Sequence, residues 1–422
     1  MAKTFTPLDA QAILAATVRE ATGQETTLQS VNVSNFASIG ESLQTTGQEN
    51  VLNKLSTVIF RELIAVRPYS GRFISFRSEN NSLFQQRLRK ISYKAKDPKN
   101  AGNFNTNLYT NLKSGFTNGR NLDSNGVPQS TGSMWEQDLC LPYQVFYGGS
   151  QVWQDSYEVS EDALKVAFKS PENLASFVNG YITEKMSDIE SQKEAFSRLT
   201  FLQLLAGTID QSAVMPGSVV NMTAEYNAYY GTSKTTQDLL TTDLTSFLQF
   251  FTAFVKTTIR RLENRSALYH DPRTETIDGI DYSILRHTPK DRQRLVMLAE
   301  FWEKAEAMVM PGIFSPSYLD INKQFELIDF WQNEANPWKI DCTPAVFDQV
   351  NGVQIQGNNV KEDVVLGALF DEDAIWVDFQ LERVDSTPLE ARKHFRNVWY
   401  SMAQQGCVDP TEKTVVFIMN DN

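Results

Sequence analysis

The chain has 422 residues, with 39 Lys and Arg against 51 Asp and Glu and a formal net charge of −12. With 41% hydrophobic and 21% charged residues, it is long enough for two or three globular domains. Its acidity argues against a protein whose main surface grips nucleic acid, and for one that stays soluble at high concentration.

No apolar run reaches roughly 18 residues and the first residues lack an apolar signal core, so no membrane span or signal-peptide route is expected. Cys140, Cys342 and Cys407 are odd in number and far apart, which predicts free buried thiols in a reducing compartment.

Residues 1–70 read as a helical arm. Thr6-Pro7 opens a helix to about Thr22, closed by Gly23, and a polar stretch follows to about Glu49. Leu52, Leu55, Ile59, Leu63 and Val66 then trace an amphipathic helix that stops before Pro68. The first 48 residues have few large apolar side chains and are expected to dock on something else rather than fold alone.

From Arg72 the pattern alternates, Phe73, Ser75 and Arg77 against Ile74 and Phe76, as in a strand. Residues 80–132 are rich in Asn, Gly and Ser, with eight Asn between Pro98 and Ser130, and cannot bury enough surface to form a compact unit. Period-two patches at 83–93 and 104–109 predict a long two-stranded flap. Its charge is out of character: Arg87, Arg89, Lys90, Lys94, Lys96, Lys99, Lys113 and Arg120 face one acid, Asp97. A basic flap on an acidic protein predicts docking onto an identical subunit. Contact with nucleic acid, with Phe84 and Tyr93 stacking on bases, and a merely solvated hairpin are the alternatives.

An apolar strand, 143–147, is broken by Gly148-Gly149, and a short helical stretch is expected around 162–168. Residues 170–207 read as one long helix of about 50 Å. Ser170 is its N-cap, Pro171 its first helical residue and Gly207 its left-handed C-cap. Leu174, Phe177, Val178, Ile182, Met186, Ile189, Phe196 and Leu199 would form its buried face; Glu184, Lys185, Asp188, Glu190, Lys193, Glu194 and Arg198 would be exposed.

An irregular section with Tyr226, Tyr229 and Tyr230 leads to a helix over 242–263, with Leu244, Leu248, Phe251, Val255 and Leu262 on one face. A hairpin-like Ile277-Asp278-Gly279, a strand at 294–298, a helix at 300–310 and a strand at 325–330 come next. Two apolar strands, 364–369 and 374–377, are expected to pair across an Asp371-Glu372-Asp373 turn. Strands alternating with helices over 235–375 imply one mixed α/β domain. The apolar 414–419 run predicts a central strand tied to the long helix.

No phosphate loop, zinc-helix motif, nucleophile elbow or dinucleotide fingerprint occurs. His270, His287 and His394 stand apart beside polar residues and read as surface or loop histidines. Asp371-Glu372-Asp373 offers oxygens suited to a hard cation but reads better as a solvated turn. No catalytic residue, metal site or cofactor is expected.

The order of parts (helical arm, basic flap, spine helix, mixed α/β domain, return to the spine) resembles the major capsid proteins of tailed bacteriophages, the Hong Kong 97 fold. Residues 145–147, 162–168 with Phe177, 367–375, 386–388 and 397–400 with the closing strand are similar to the capsid proteins of small short-tailed phages.

The resemblance implies an α+β fold. Residues 1–70 would be the N-terminal arm and 77–140 an extended E-loop. The peripheral domain would take 141–234 and 374–422 with spine helix 170–207, and the axial domain 235–373. It implies an icosahedral head of hexamers and pentamers in the virion, assembled in the host bacterial cytoplasm around double-stranded DNA held without sequence-specific contact. A separate scaffolding protein, a portal at one vertex, no membrane and no enzymatic activity are implied too. Arg87, Arg89, Lys90, Lys94, Lys96 and Lys99 become candidate subunit contacts. Another phage structural protein, such as a portal, or an α/β enzyme is the alternative.

Overall fold

The structure is a computed structural model. It describes residues 77–79, 87–94, 141–148, 151–160, 166–177 and 183–421, apart from 214, 216, 266–268, 271–273, 278–279, 284–285, 309–324, 349–352, 389, 391, 394 and 410. The expected arm, 1–70, and the patch at 104–109 lie outside the described residues, as does most of the expected helix at 162–168.

In chain order the elements begin with strands β1 (Arg77–Glu79), β2 (Arg87–Lys94), β3 (Leu141–Gly148) and β4 (Gln151–Ser160). Helices α1 (Pro171–Phe177) and α2 (Thr183–Asp210) follow, then β5 (Val219–Asn221), α3 (Met222–Tyr230), α4 (Thr236–Leu240) and α5 (Leu244–Leu262). Next come β6 (Thr274–Ile277), β7 (Ile280–Ser283), β8 (Gln293–Leu298), α6 (Ala299–Met308) and β9 (Phe325–Ile328). Four short strands, β10 (Ile340–Cys342), β11 (Ala345–Asp348), β12 (Val353–Gln356) and β13 (Val360–Glu362), precede the closing set. That set is β14 (Val365–Asp371), β15 (Ile375–Ser386), β16 (Phe395–Val408) and β17 (Thr414–Ile418).

The described residues form two compact units. One holds those within Gly149–Ser197 and Val377–Gly406, with β1. The other holds those within Arg87–Gly148, Arg198–Trp376 and Cys407–Asn422. The division falls inside α2, β15 and β16.

The first unit is built on a sheet of order β1-β15-β16-β4. β16 and β4 run antiparallel through ten consecutive pairs, from Phe395↔Ser160 to Gln404↔Gln151. Strand alternation puts Tyr157, Val398, Tyr400 and Met402 on the buried face, where Trp153 meets Tyr400 edge-on at 6.1 Å. The first half of α2 presents Phe196 to Phe379 at 6.1 Å.

This unit corrects the reading of the helix. Of the 170–207 stretch the structure describes α1 and α2; residues 178–182, with the expected core positions Val178 and Ile182, lie outside the described residues. Ser170 does cap the first, its Oγ accepting from the Asn173 amide at 3.2 Å. Gly207 is no cap: α2 runs on to Asp210 and the Gln211 amide still bonds the Gly207 carbonyl at 3.1 Å. Glu190 and Lys193, expected outside, are buried, whereas Leu199, expected inside, is 61% exposed. Lys193 buries its aliphatic stem and sets its ammonium 5.5 Å over the Phe379 ring, so its charge did not keep it at the surface.

The second unit is organised by a five-stranded sheet of order β5-β17-β14-β8-β9. β14 pairs antiparallel with both β17 and β8, while β5 and β9 join parallel at the edges. Every residue of β14 and of β17 is buried. The register explains why these strands are apolar throughout rather than alternating. Phe417 shares a face with Gly367 and Leu369, and on that face Phe251 of α5 meets Phe417 at 5.5 Å and Phe301 of α6 at 5.5 Å. Phe370 points to the opposite face, where Phe201 from the second half of α2 packs at 5.5 Å and stacks on Trp331 at 6.1 Å. Gly367 is required at the crossing with β8, since a Cβ there would stand 2.7 Å from the Val296 carbonyl oxygen.

The expected pair 364–369 and 374–377 does not form. β14 joins the five-stranded sheet and β15 the four-stranded one, with a short 3₁₀ turn, Glu372–Ala374, between them. The tyrosine-rich stretch expected to be irregular is helix α3. The Asn221 side chain caps it, accepting from the Thr223 amide at 3.1 Å, and Gly231 ends it at φ 63°.

Phe251→Ala is expected to destabilise the protein by about 3–5 kcal/mol, because the site is sealed by aromatic rings and cannot collapse. Leu199→Ala, at a position read from sequence as core, is expected to stay within about 0.5 kcal/mol of wild type. Urea unfolding of both variants checks the pair.

Candidate subunit-contact elements

β2 and β3 form an antiparallel ribbon of eight uninterrupted pairs, from Arg87↔Gly148 to Lys94↔Leu141. Among the described residues no third strand joins it. β2 contributes Arg87, Arg89, Lys90 and Lys94, while β3, Leu-Pro-Tyr-Gln-Val-Phe-Tyr-Gly, brings no charge. Period-two alternation places positions 87 and 89 on one face and 90 and 94 on the other. The structure thus brings four of the six candidate contact residues onto one strand; Lys96 and Lys99 lie outside the described residues. A two-stranded ribbon is marginal in water without a surface to cover it.

The other candidate chemistry resolves into structure. Asp371 is buried and its Oδ1 accepts from the Asp373 amide at 2.9 Å. Glu372 pairs with Arg294 at 2.8 Å and Asp373 with Arg292 at 2.7 Å. The expected solvated turn is therefore tied to the start of β8 by two ion pairs, and its carboxylates are neutralised by arginines. Nearby, Arg286 pairs with Glu412 at 2.5 Å, both largely buried. Burial pushes the Asp371 carboxyl above the usual range, although its bond from the Asp373 amide opposes this.

His270 is buried, against the expectation of a surface residue, while His287 is exposed; His394 lies outside the described residues. Cys407 is a buried thiol and Cys342 a half-buried one, neither in a disulfide, and Cys140 lies outside the described residues. Burial, with Asp341 adding, raises the Cys342 pKa and keeps it a thiol. Among the described residues no group of three or more His, Cys, Asp or Glu could hold a metal ion. Nor is any helix there long and apolar enough to cross a membrane.

A groove of about 570 Å³ lies between α4, α6 and the Trp338 loop. Its cations are matched, Lys304 to Glu300 at 2.7 Å and Lys339 to Asp363 at 3.2 Å. Trp338 donates its indole N–H to Glu300 at 2.7 Å. No nucleophile–base pair converges in it.

A surface feature that sequence reading missed lies on α3 and α5. Tyr229 and Tyr230 are exposed beside Phe250. The Asn221 and Gly231 brackets around 222–230 were the available signal that these tyrosines share a helix.

Residues 150–418, well over half of the chain, match the family model described as Phi29-like phage major capsid protein. No curated protein matches the chain. Among solved structures, the capsid of Staphylococcus phage Andhra is similar at 11% identity and TM-score 0.48, over 83% of this chain and 84% of that one. A structure of the head fiber and inner core protein gp22 of native bacteriophage P68 is similar at 11% identity and TM-score 0.48, over 84% and 85% of the two chains. The capsid of cyanophage P-SCSP1u gives 9% identity and TM-score 0.40, over 84% and 89%.

Asp371 has a folded-state pKa above its unfolded value, so protonation favours the folded chain. That contribution is fully present below the unfolded pKa and is lost as pH rises through the folded one. Asp371→Asn is therefore expected to melt above wild type at neutral pH, with the difference shrinking as pH falls through the Asp371 titration. Thermal melts across that range check it.

Proposed function

The chain belongs to the Phi29-like phage major capsid protein family, and from that premise we propose how its parts build a shell. It is the major capsid protein of a phage, a structural protein of the virion. Its copies assemble as hexamers and pentamers into an icosahedral head that encloses the double-stranded genome. A separate scaffolding protein directs assembly in the host cytoplasm and a portal occupies one vertex. The chain performs no catalysis in this role.

The observation that carries the contact mechanism is the β2–β3 ribbon. It holds four cations and no acid in an acidic protein. It also has no third strand among the described residues. Such a ribbon gains stability by lying on a surface of opposite charge, and the most abundant such surface in an assembling shell is another copy. Contacts of this kind are individually weak, but each copy makes several at once, and closure of the shell multiplies them.

In this reading residues 1–70 are the N-terminal arm and 77–140, continued by β3, the E-loop over the neighbour. The four-stranded sheet with the spine helix forms the peripheral domain. The five-stranded sheet forms the axial domain near the five-fold and six-fold axes. β17 goes with the axial part, although the resemblance grouped 374–422 as peripheral, because its ladder partners are β14 and β5. The excess of 12 negative charges keeps packaged DNA enclosed rather than bound.

Reversing the ribbon's charge with Arg87→Glu, Arg89→Glu and Lys90→Glu is expected to leave the melting temperature of the unassembled subunit unchanged. Closed shells should fall by on the order of tenfold or more. Electron microscopy with sedimentation counts the shells. Undiminished shells together with a loss of DNA affinity would contradict the subunit-contact role.

A further inference from the structure

The four-stranded sheet of the first unit ends on β4, and among the described residues no strand lies along the outer edge of β4. At ten residues β4 is well beyond the usual strand length of about 5–6. All ten pair with β16 without a break in register, so on the far side alternate residues direct their amide N–H and carbonyl outward. Edges that monomers leave open are short, or are blunted by Lys, Pro or a bulge. Gln151–Ser160 has no Lys, Arg, Pro or Gly. The chemistry of such an edge is completed by an added strand.

Asp155 pairs with Lys185 of α2 at 3.5 Å and Tyr157 is buried, so the odd positions of β4 face the helix. Val152, Gln154, Ser156 and Glu158 lie on the other face and all are exposed, Val152 by 67%. On that outer face Gln154 donates to the Ser401 hydroxyl at 3.1 Å, and Trp399, 41% exposed, stands directly beside Ser156.

The residues along the edge say which strand fits it. A two-fold axis normal to the sheet pairs β4 antiparallel with β4 of a second copy and keeps both helix layers on one side, so odd residues meet odd and even meet even. Centred on Asp155, this pairing opposes two carboxylates; centred on Gln154 or Tyr157, it spans only seven residues, 151–157 or 154–160. Centred on Ser156 it spans nine, 152–160, with Ser156 on Ser156, Gln154 on Glu158, Asp155 on Tyr157, Trp153 on Val159 and Val152 on Ser160. No like charges are opposed. Asp155 keeps Lys185, and the exposed Arg392 and Lys393, in the turn at the Ser160 end, come opposite the uncharged Gln151 and Val152. The small Ser156 at the centre leaves both Trp399 indoles room to lie over the seam. The basic strand β2 fits less well, since its four cations would meet only Glu158 and an Asp155 already paired with Lys185.

Rings of subunits close by heterologous contacts, but an icosahedral shell also joins ring to ring across two-fold axes, which takes a self-complementary patch. Resting on the capsid reading above, we propose that β4 pairs with β4 of a copy in the neighbouring ring, about a two-fold at Ser156, so that two four-stranded sheets become one continuous sheet.

The test places a thiol on the axis. Ser156→Cys is made in the full chain together with Cys140→Ser, so that position 156 holds the only thiol of the tryptic peptide 121–165. Facing residues of an antiparallel pair have Cα atoms about 4.5–5.5 Å apart, within disulfide reach. Mild oxidation of assembled shells is expected to move on the order of half or more of the chain into a reducible band of twice the chain mass, because each copy meets one partner across a two-fold. That band should join peptide 121–165 to itself, and Cys140→Ser alone should give none. If Ser156→Cys stops assembly, Gln154→Cys with Glu158→Cys in the same background is expected to give the same dimer, and Gln154→Cys alone is not. Intact shells without this dimer, or with position 156 joined to a different peptide, overturn the contact and leave the capsid role standing. A wild-type chain that forms no shells or rings overturns both.

Discussion

The ladder between β14 and β17 is the constraint from which the second unit follows. Two strands separated by more than forty residues of chain are buried along their whole length. Each face needs its own cover, since a parallel-edged sheet with apolar residues on both sides cannot leave either one wet. α5 and α6 cover one face through Phe251, Phe301 and Phe417, and the second half of α2 covers the other through Phe201 and Phe370. Gly367 lets β8 approach where a side chain would strike the Val296 carbonyl. The acidic turn after β14 is then held by Arg292 and Arg294 from the β8 side, so charge closes the end of a sheet that apolar surface closes on its faces.

Against that core, the β2–β3 and β6–β7 ribbons have the opposite economy. Each is a two-stranded sheet with no third strand among the described residues, one basic and one acidic. A monomer has little reason to keep either. A shell does, because elements too small to stabilise themselves become stable when many copies cover one another. The family membership points the same way: this chain acts through surfaces.

Much of this was legible in the residues. The one-sided pattern of Leu244, Leu248, Phe251, Val255 and Leu262 predicted α5 nearly to its ends, and the unbroken apolar 414–419 run predicted the interior strand observed at Thr414–Ile418. The basic run at 87–94 was visible as a flap, though its partner, 141–148, was not, since pairing across the 46 residues between Lys94 and Leu141 leaves no local mark. The helix faces misled. Lys193 and Glu190 are polar by type yet buried, and Leu199 is apolar yet exposed, because α2 packs by its neighbours and not by a simple stripe. Strands β14 and β15 looked like a hairpin because an acidic turn joins two apolar runs. Their true partners, β17 and β16, are chosen by tertiary packing.

The measurement that tests this account most directly is electron microscopy of the full chain expressed with and without its neighbouring reading frames. Closed icosahedral shells, or free hexamers and pentamers, are the predicted result. A discrete ring of about a dozen copies would mark a portal instead, and a stable monomer that never assembles would contradict the shell altogether.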